Sequence, residues 1–205
     1  MDIGILALQG AFAAHQRAFS HLGASVTLIR TPAELERVDG VVIPGGESTT
    51  MSMLLDSSGL REPLSNKIHE GVAVFGTCAG LIMLANDIAD GRSDQQSLGA
   101  IGITARRNGY GRQINSFETM LLIQNGSRVC EMNGVFIRAP RVESVSSNIE
   151  VMAVVDGDPV LIRENNVLAA TFHPELGDSY CVHEIFLEMV AHSRSEHKES
   201  EPVRS

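Results

Sequence analysis

The sequence predicts an α/β domain built on a mainly parallel β-sheet, with antiparallel strands added in the second half of the chain. In the first half, short apolar runs typical of strands alternate with segments whose apolar residues recur at helical spacing. In the second half, shorter runs are separated by turn residues such as Asp156-Gly157 and Asn165-Asn166. Strands and helices that alternate in this way favour parallel pairing, right-handed crossovers and helices on both faces of the sheet.

The first half contains four predicted strands, each followed by one or two helices. The strands cover 2–8, 25–30, 40–44 and 72–76. A proline at the first helical position and a glutamate three residues after the capping Thr31 predict the helix that begins at Pro32. The other predicted helices cover 12–22, 48–55 with Ser48 as the capping residue, 60–69, and 79–86.

The second half is predicted to contain antiparallel additions and one long helix. Its apolar runs lie at 98–104, 117–124, 134–138, 150–156, 159–164 and 167–172. A last helix over about 179–192 places Val182, Phe186 and Val190 on one face. From Ser193 onward the chain has no apolar residues to bury, so we expect one domain over 1–192 and a disordered polar tail over 193–205.

The composition is that of a soluble globular protein and excludes several function classes. The 205 residues are 43% hydrophobic and 20% charged, and the net charge of −9 argues against nucleic acid as a partner. We expect no signal peptide and no membrane span, because no apolar run approaches the roughly 20 residues that a bilayer requires. The three cysteines are scattered and predict neither a disulfide framework nor a metal site. A reduced, cytoplasmic setting without metal or cofactor is the expectation.

Cys78 lies in the stretch FGTCAGL, where a predicted strand ends and a helix begins. A helix N-terminus favours the thiolate through its free N–H groups, and Gly76 and Gly80 leave room for a tight turn that exposes the side chain. The G-x-C-x-G pattern has the layout of the nucleophile elbow of serine hydrolases. The alternative is a small buried hydrophobe, which is a common role of free cysteine.

His173 and Glu175, in the stretch TFHPEL, supply a base and a group to orient it. Residues two apart on an extended segment point the same way, and the residue before Pro174 is biased to extended geometry. The carboxylate can therefore orient the imidazole, as in a nucleophile–base–acid triad. Alone, this pattern fits a histidine at a strand end beside a solvated glutamate; with Cys78 on the same sheet, catalysis is favoured.

The stretch PGGEST follows the third strand and predicts an oxyanion hole. Successive glycines let backbone N–H groups approach a developing negative charge, although the same residues fit a simple helix cap. Arginines in RRNGYGRQ (106–113) and FIRAP (136–140) are suited to binding carboxylates, but such loops are more often solvated or contact a partner. Cys130 and Cys181 are interpreted as structural residues. His15, His21 and His69 lie in helical segments and are interpreted as surface or packing residues.

These motifs together resemble the class I (triad) glutamine amidotransferases, and within them the family of glutaminase subunits of pyridoxal 5′-phosphate synthase (the PdxT/SNO family). The resembling stretches run from the first strand to the last and leave out only the tail. They are GILALQGAFAAH (4–15), VDGVVIPGGESTT (38–50), FGTCAGLIMLA (75–85), RNGYGRQINSFE (107–118), GVFIRAP (134–140) and TFHPEL (171–176).

The resemblance implies a flavodoxin-like three-layer sandwich and a thioester mechanism. Cys78 would attack the side-chain amide of L-glutamine, and His173, held by Glu175, would move the proton. The backbone at Gly46 and Ala79 would form the oxyanion hole. Glutamine binding is carried over to six positions: Gly46, Glu47, Ser48, Arg107, Ile137 and Arg138.

The resemblance also implies a partner. The glutaminase pattern fills the chain, so the ammonia is expected to pass to a docked acceptor. In this family the acceptor is the (β/α)8-barrel synthase subunit, which joins the glutaminase in a hetero-oligomer for vitamin B6 biosynthesis. No phosphate-binding loop occurs in this chain, consistent with sugar phosphates binding on the partner.

Three other interpretations stay open on sequence grounds. The chain could be a glutaminase subunit that feeds another synthase, such as the one for imidazole glycerol phosphate. It could be an unrelated cysteine acyl hydrolase, which would be active without a partner. A non-catalytic regulatory subunit is disfavoured because Cys78, His173 and Glu175 are all present.

Overall fold

The computed structural model describes residues 1–92, 94–107, 109 and 116–200, with the backbone alone for 196–200. Its centre is a seven-stranded sheet in the order β10-β11-β12-β4-β3-β1-β2. Five neighbouring strands, from β12 to β2, run parallel, and β11 is antiparallel to both of its neighbours. The strands of this sheet are β1 (Asp2–Leu6), β2 (Ser25–Ile29), β3 (Gly40–Ile43), β4 (Ala73–Thr77), β10 (Glu150–Val155), β11 (Asp158–Glu164) and β12 (Val167–Ala170).

Two smaller sheets and six helices complete the fold among the described residues. The smaller sheets are β5 (Ala85–Ile88), β6 (Ile101–Arg106) and β9 (Arg141–Val145), and the pair β7 (Ser116–Asn125) and β8 (Arg128–Ile137). The helices are α1 (Phe12–His21), α2 (Pro32–Leu35), α3 (Ser48–Ser57), α4 (Arg61–His69), α5 (Ala79–Leu84) and α6 (Cys181–Ser200).

Successive residues of the central strands face opposite sides, and this alternation builds two cores. On one side, Val42 and Phe75 pack with Phe19 of α1 and Phe186 of α6. On the other side, the neighbouring strand residues pack with the apolar faces of the helices between β3 and β5; examples are Ile43, Val74, Met51, Leu64 and Leu81. The molecule is therefore a three-layer sandwich with a mainly parallel sheet, which confirms the predicted fold class.

The predicted elements of the first half are present, with two corrections. The helix predicted to run to Asn86 ends at Leu84, and the chain then enters β5, a strand that the pattern did not predict. The N-cap of α3 is Glu47 instead of Ser48: its carboxylate accepts hydrogen bonds from the backbone N–H groups of Thr49 and Thr50. The capping box of Thr31 and Glu34 forms as predicted.

The second half departs further from the prediction. The strand predicted at 167–172 was grouped with the antiparallel additions, but β12 pairs in parallel with β4 and so belongs to the central parallel set. The strand β9 was not predicted. Helix α6 continues to Ser200, so residues 193–200, predicted to be disordered, are helical; residues 201–205 lie outside the described part of the chain.

The cysteines differ most clearly from the sequence analysis, which predicted no disulfide. Cys130 of β8 and Cys181 at the start of α6 are joined by a disulfide bond, with their Cα atoms 6.7 Å apart, and Cys78 is free. The two partners are 51 positions apart in the sequence, so no local spacing indicates the pairing. Within the described ranges, no helix has the length and apolar character needed to cross a membrane.

Candidate active site

The two predicted halves of a triad meet at the carboxyl edge of the central sheet. Strands β4 and β12 are parallel neighbours, and Thr77, the last residue of β4, pairs with Ala170, the last of β12. The Cys78 N–H donates to the Ala170 carbonyl at 2.8 Å, and His173 follows three residues later. In open α/β sheets, ligands bind beyond the carboxyl ends of parallel strands, which is where this edge lies.

Cys78 occupies a strained turn between β4 and α5. Its φ of 49° lies in the left-handed region, which non-glycine residues rarely adopt. Two glycines make the turn possible: a Cβ on Gly80 would overlap the Ile43 carbonyl, and a Cβ on Gly76 would overlap Gly80. The cysteine is 7% exposed and lines a cavity, so its thiol is sheltered yet reachable by a small substrate. The structure therefore places Cys78 as the predicted elbow requires.

His173 is held from both sides. Its backbone N–H donates to the Val135 carbonyl of β8 at 2.8 Å, and its ring Nδ1 lies 2.8 Å from Oε1 of Glu175. The Glu175 side chain has no exposed surface. The predicted pairing is present, but its cause differs: Glu175 lies in a 3-10 turn (Pro174–Leu176) instead of on an extended segment.

The charges around His173 favour its protonated form. Burial alone would lower the pKa of His173, but hydrogen bonds with Cys78 and Glu175 and the charges of both raise that pKa to about 10. Burial raises the pKa of Glu175, while the charges of His15 and His173 and the hydrogen bond to His173 outweigh it and lower that pKa. The imidazole is therefore held as a proton carrier between a thiol and a carboxylate.

A cavity of about 340 Å³ opens over these groups. This volume is near the lower end of the roughly 300–1,000 Å³ common for small-molecule sites. Glu175 does not line the cavity, since it lies behind His173. The cavity brings together every residue predicted to bind glutamine or form the oxyanion hole. Its lining residues are Gly10, Ala11, Gly45, Gly46, Glu47, Ser48, Cys78, Ala79, Ile82, Arg107, Ile137, Arg138, His173 and Leu176.

Arg107 is the arginine of the adjacent pair that reaches the cavity. Its guanidinium donates to the Thr49 hydroxyl and to the Gln95 side-chain oxygen, both at 3.2 Å, and lies 3.8 Å from the Glu47 carboxylate. Arg106 instead forms an ion pair with Glu143 outside the cavity. The other residues of the RNGYGRQ stretch, Asn108 and 110–113, lie outside the described residues except for Gly109.

Glu47 is an anion within reach of the substrate cavity. Burial raises the pKa of Glu47 somewhat, but hydrogen bonds from Thr50 and Thr49 lower it to about 2, so the carboxylate is charged at neutral pH. Arg138 supplies a cation on the other side, with no ion pair to any described residue and with a left-handed φ of 45°. A cavity lined by both charges suits a substrate that is itself a zwitterion.

Sequence reasoning missed two glutamines next to the cavity. The Gln9 side chain donates to the Glu47 carbonyl at 3.0 Å and accepts from the Glu47 N–H at 3.3 Å, and so fixes the backbone beside Gly46. The Gln95 amide donates to the Ser48 hydroxyl at 3.0 Å. A polar residue directly after β1 is a signal for Gln9, because that strand ends at the catalytic edge. No comparable signal marks Gln95, which lies in a loop.

A free cysteine at a strand-to-helix turn, a histidine–glutamate pair on the neighbouring strand and a three-layer α/β sandwich are together the features of a triad glutamine amidotransferase. A solved structure described as a glutamine amidotransferase superposes with a TM-score of 0.86 at 39% identity, over 92% of this chain and 98% of that one. The chain belongs to the SNO glutamine amidotransferase family, whose model matches residues 5–192.

Curated relatives are similar over nearly their whole length. A protein of Corynebacterium jeikeium named pyridoxal 5′-phosphate synthase subunit PdxT is 50% identical over 93% of this chain and 97% of its own. A Thermosipho africanus protein of the same name is 47% identical over 93% of this chain and 99% of its own. A solved structure of PurLQS from Thermotoga maritima, at 12% identity and a TM-score of 0.64, shares the fold over 96% of this chain and 97% of that one.

Proposed function

We propose that this chain is the glutaminase subunit of a pyridoxal 5′-phosphate synthase, hydrolysing L-glutamine to L-glutamate and ammonia through Cys78, His173 and Glu175. One observation carries the chemistry: Cys78 and His173 lie at the ends of neighbouring parallel strands and line the same cavity, with Glu175 bonded behind the histidine. The relatives named as PdxT subunits support the assignment to this synthase.

The first half of the reaction forms a thioester. The Cys78 Sγ attacks the side-chain amide carbon of glutamine, and the carbonyl π electrons move to oxygen. The backbone N–H groups at Gly46 and Ala79 stabilise that oxyanion. When the tetrahedral intermediate collapses, the C–N bond breaks, His173 donates its proton to the leaving nitrogen, and ammonia departs. The high pKa of His173 supplies this proton at neutral pH.

The second half reverses the proton movement. His173, now neutral, takes a proton from a water molecule, whose oxygen attacks the thioester carbon. The C–S bond then breaks, the thiolate of Cys78 is restored, and glutamate is released. Glu175 keeps Nδ1 of His173 protonated throughout, so that Nε2 exchanges the proton with the reacting groups.

The charged lining of the cavity supports recognition of the free amino acid. Arg107 and Arg138 are placed to bind the α-carboxylate of glutamine, and Glu47 is placed to bind its α-ammonium group. Ser48 and Ile137 form the adjacent wall, and Gly46 allows the substrate to approach the backbone. Removing one of these charges is expected to raise KM for glutamine more than it lowers kcat.

The partner we propose is the (β/α)8-barrel synthase subunit, joined with this chain in a hetero-oligomer. Protonation in solvent would convert ammonia to ammonium and remove its nucleophilicity, so the acceptor has to cover the cavity where ammonia is released. The same docking can complete a catalytic site that is inactive in the free subunit.

The test is glutamate release from L-glutamine by the purified chain, alone and with a pyridoxal 5′-phosphate synthase barrel subunit, each repeated with Cys78→Ala. We expect strong stimulation by the partner and loss of release in the variant, which should still bind the partner. Calorimetry of partner binding is the control for a folded variant. Release that persists in Cys78→Ala would refute the mechanism, and no release by the wild-type complex would refute the assignment to this synthase.

A further inference from the structure

Behind the triad lies a buried polar cluster that the mechanism above does not use. It consists of His15 of α1, Thr77 at the end of β4, Glu175 and His183 of α6. The residues His15, Thr77 and His183 have no exposed surface. Buried polar groups without a function are costly unless each is paired, so a cluster of this kind next to a catalytic carboxylate requires an explanation.

His15 contacts the supports of both catalytic groups. Its Nε2 lies 3.1 Å from the hydroxyl of Thr77, the residue immediately before the nucleophile. The same nitrogen lies 3.4 Å from Oε2 of Glu175, whose other oxygen bonds to His173. No described group makes a shorter hydrogen bond to Oε2. His15 thus bridges the turn that carries Cys78 and the carboxylate that orients His173.

The contact between His15 and Glu175 is longer than the usual N–H···O distance of about 2.7–3.2 Å. Hydrogen bonds among catalytic groups are often long without substrate and shorten in the reacting complex. Oε2 is the oxygen of Glu175 that would otherwise remain without a donor in a buried site. His15 is therefore placed to hold the carboxylate in the orientation that His173 requires.

The partners of His15 determine which of its nitrogens carries the proton. An ionised carboxylate only accepts hydrogen bonds, so Nε2 of His15, which faces it, has to be the protonated nitrogen. Nδ1 of His15 is then an acceptor, and His183 Nε2, at 3.1 Å, has to donate to it. This leaves His183 Nδ1 without a proton, and that atom has no hydrogen-bond partner among the described residues. The cluster is thus consistent only with two neutral rings, each protonated on Nε2.

Burial supports the neutral state of both rings. Burial is the largest influence on His15 and, together with the charge of His173, lowers its pKa although Glu175 acts in the opposite sense. Burial and the nearby His15 lower the pKa of His183 to about 3. A neutral His15 donates to Glu175 without cancelling the negative charge that raises the pKa of His173.

We propose that His15 is a positioning residue of the glutaminase reaction: its Nε2–H, fixed by His183, orients the Glu175 carboxylate and secures the Thr77 turn beneath Cys78. The proposal rests on the proposed function, because it assigns His15 to the support of that triad. His15 touches neither the cavity nor the substrate, so its loss should act on the chemical step and leave glutamine binding intact.

The experiment compares His15→Leu, which removes the donor, with His15→Gln, whose amide can place an N–H near the original Nε2. Steady-state kinetics of glutamate release are measured in the complex with the barrel subunit. For His15→Leu we expect kcat to fall roughly ten- to a hundredfold, the loss typical of removing an outer hydrogen-bond partner, with KM for glutamine changed less than about twofold. His15→Gln should recover most of kcat.

His21, exposed at the end of the same helix, provides the matched controls His21→Leu and His21→Gln, which should leave kcat unchanged. Wild-type kcat in His15→Leu, an effect on KM alone, or equal loss in the Leu and Gln variants would overturn the proposal. Cys78→Ala in the same assay separates the two levels: glutamate release by that variant would refute the proposed function itself and not only the role of His15.

A second measurement does not depend on folding of any variant. Nitrogen-15 NMR of histidine-labelled wild-type protein reports the tautomer of each ring. We expect both His15 and His183 to be neutral and protonated on Nε2 at pH 7. A ring of His15 that is protonated on Nδ1 alone, or charged, would overturn the proposal because Nε2 could then not act as described.

Discussion

At the scale of single residues, the site depends on backbone conformations that cost energy. Cys78 and Arg138 both have left-handed φ values, 49° and 45°, and both line the cavity. Such conformations cost roughly 1–3 kcal/mol each and persist where the surrounding structure enforces them. At Cys78 the enforcing contacts are the close approach of Gly80 to Ile43 and the hydrogen bond from Cys78 to Ala170. Strain is thus concentrated at the nucleophile and at a predicted substrate ligand.

Gly45→Ala is expected to abolish most of the activity without unfolding the protein. A Cβ at this position would overlap the His173 ring and lie 3.4 Å from Cys78 Cβ, so the imidazole must move. Misplacement of a catalytic group by about 1 Å costs on the order of a hundredfold in rate. The measurement is kcat in the complex with the barrel subunit, together with the circular dichroism spectrum.

Gly126→Ala in the β7–β8 turn is the control, since no atom lies within 4 Å of its added Cβ. That variant is expected to lose some stability through its positive φ but to keep kcat. Full activity in Gly45→Ala would show that His173 does not need the position it has in the structure.

Glu175→Gln is expected to lower the pKa of His173, which is about 10 in the wild-type chain. Glutamine keeps an acceptor but removes the negative charge, one of the causes of the raised value. The Cε1 proton of His173, followed by NMR between about pH 6 and 11, should titrate at lower pH in the variant. Glu131→Gln, an exposed strand residue, is the control and should not move that titration.

The same shift affects stability with a definite sign. The folded-state pKa of His173 lies above its ordinary value of 6.5, so protonation stabilises the folded chain. This contribution is complete below about pH 6.5 and is lost as pH rises through about 10. In Glu175→Gln the loss should be complete at lower pH, which urea unfolding across this range would show. An unchanged pH dependence would contradict the charge assignment.

At the scale of elements, neighbouring strands bring distant residues together. Cys78 and His173 are far apart in the chain but adjacent in space, because β12 pairs in parallel with β4. Gly45 and Gly46 follow β3, the other neighbour of β4. Helices α1 and α6 pack on one face and place His15 and His183 behind this edge. Three consecutive strands therefore supply the nucleophile, the base and the predicted oxyanion hole.

The disulfide between β8 and α6 is expected to stabilise the fold by about 2–4 kcal/mol, since it closes a long loop in the unfolded chain. The measurement is the free energy of unfolding in urea, with and without reductant. Thiol titration in denaturant should find one free thiol, that of Cys78, in the oxidised protein. In Cys130→Ser/Cys181→Ser, stability should be low and independent of reductant. Three titratable thiols in the wild-type protein would contradict the pairing.

At the scale of the whole molecule, the candidate site is confined to one edge of the central sheet. The chain carries a net charge of −9, yet the cavity contains Arg107 and Arg138 together with Glu47. Leu176, 46% exposed, lies at the cavity. A partner that receives ammonia must cover this edge, and an exposed apolar side chain there is a suitable contact.

Leu176→Glu is expected to weaken binding of the barrel subunit by about tenfold or more, because truncating or charging a buried apolar anchor costs over about 1 kcal/mol. Calorimetric titration of the two subunits is the measurement. Val154→Glu, on the edge strand β10 and 56% exposed in the wild type, should bind normally. Equal affinities for Leu176→Glu and the wild type would place the partner elsewhere.

Much of the fold was predictable because its signals are local. Alternating apolar runs and helical periodicity identified the parallel half, and the elbow around Cys78 and the pair His173–Glu175 were found from short motifs. The disulfide, the parallel pairing of β12 and the role of Gln95 were not predictable, because each depends on residues far apart in the sequence. His15 shows the limit best: its helical position predicted a surface or packing residue, whereas it is fully buried in polar contacts.

The sequence by itself determined the class of fold, the candidate nucleophile and its base, and the family resemblance, since these reside in residue type, periodicity and short motifs. Only the tertiary structure decided which arginine reaches the cavity, which histidines lie behind the triad, and which cysteines pair. The physical reason is that distance, burial and hydrogen-bond partners arise from packing between elements. A side chain's chemistry is written in the chain, but its environment exists only once the chain has folded.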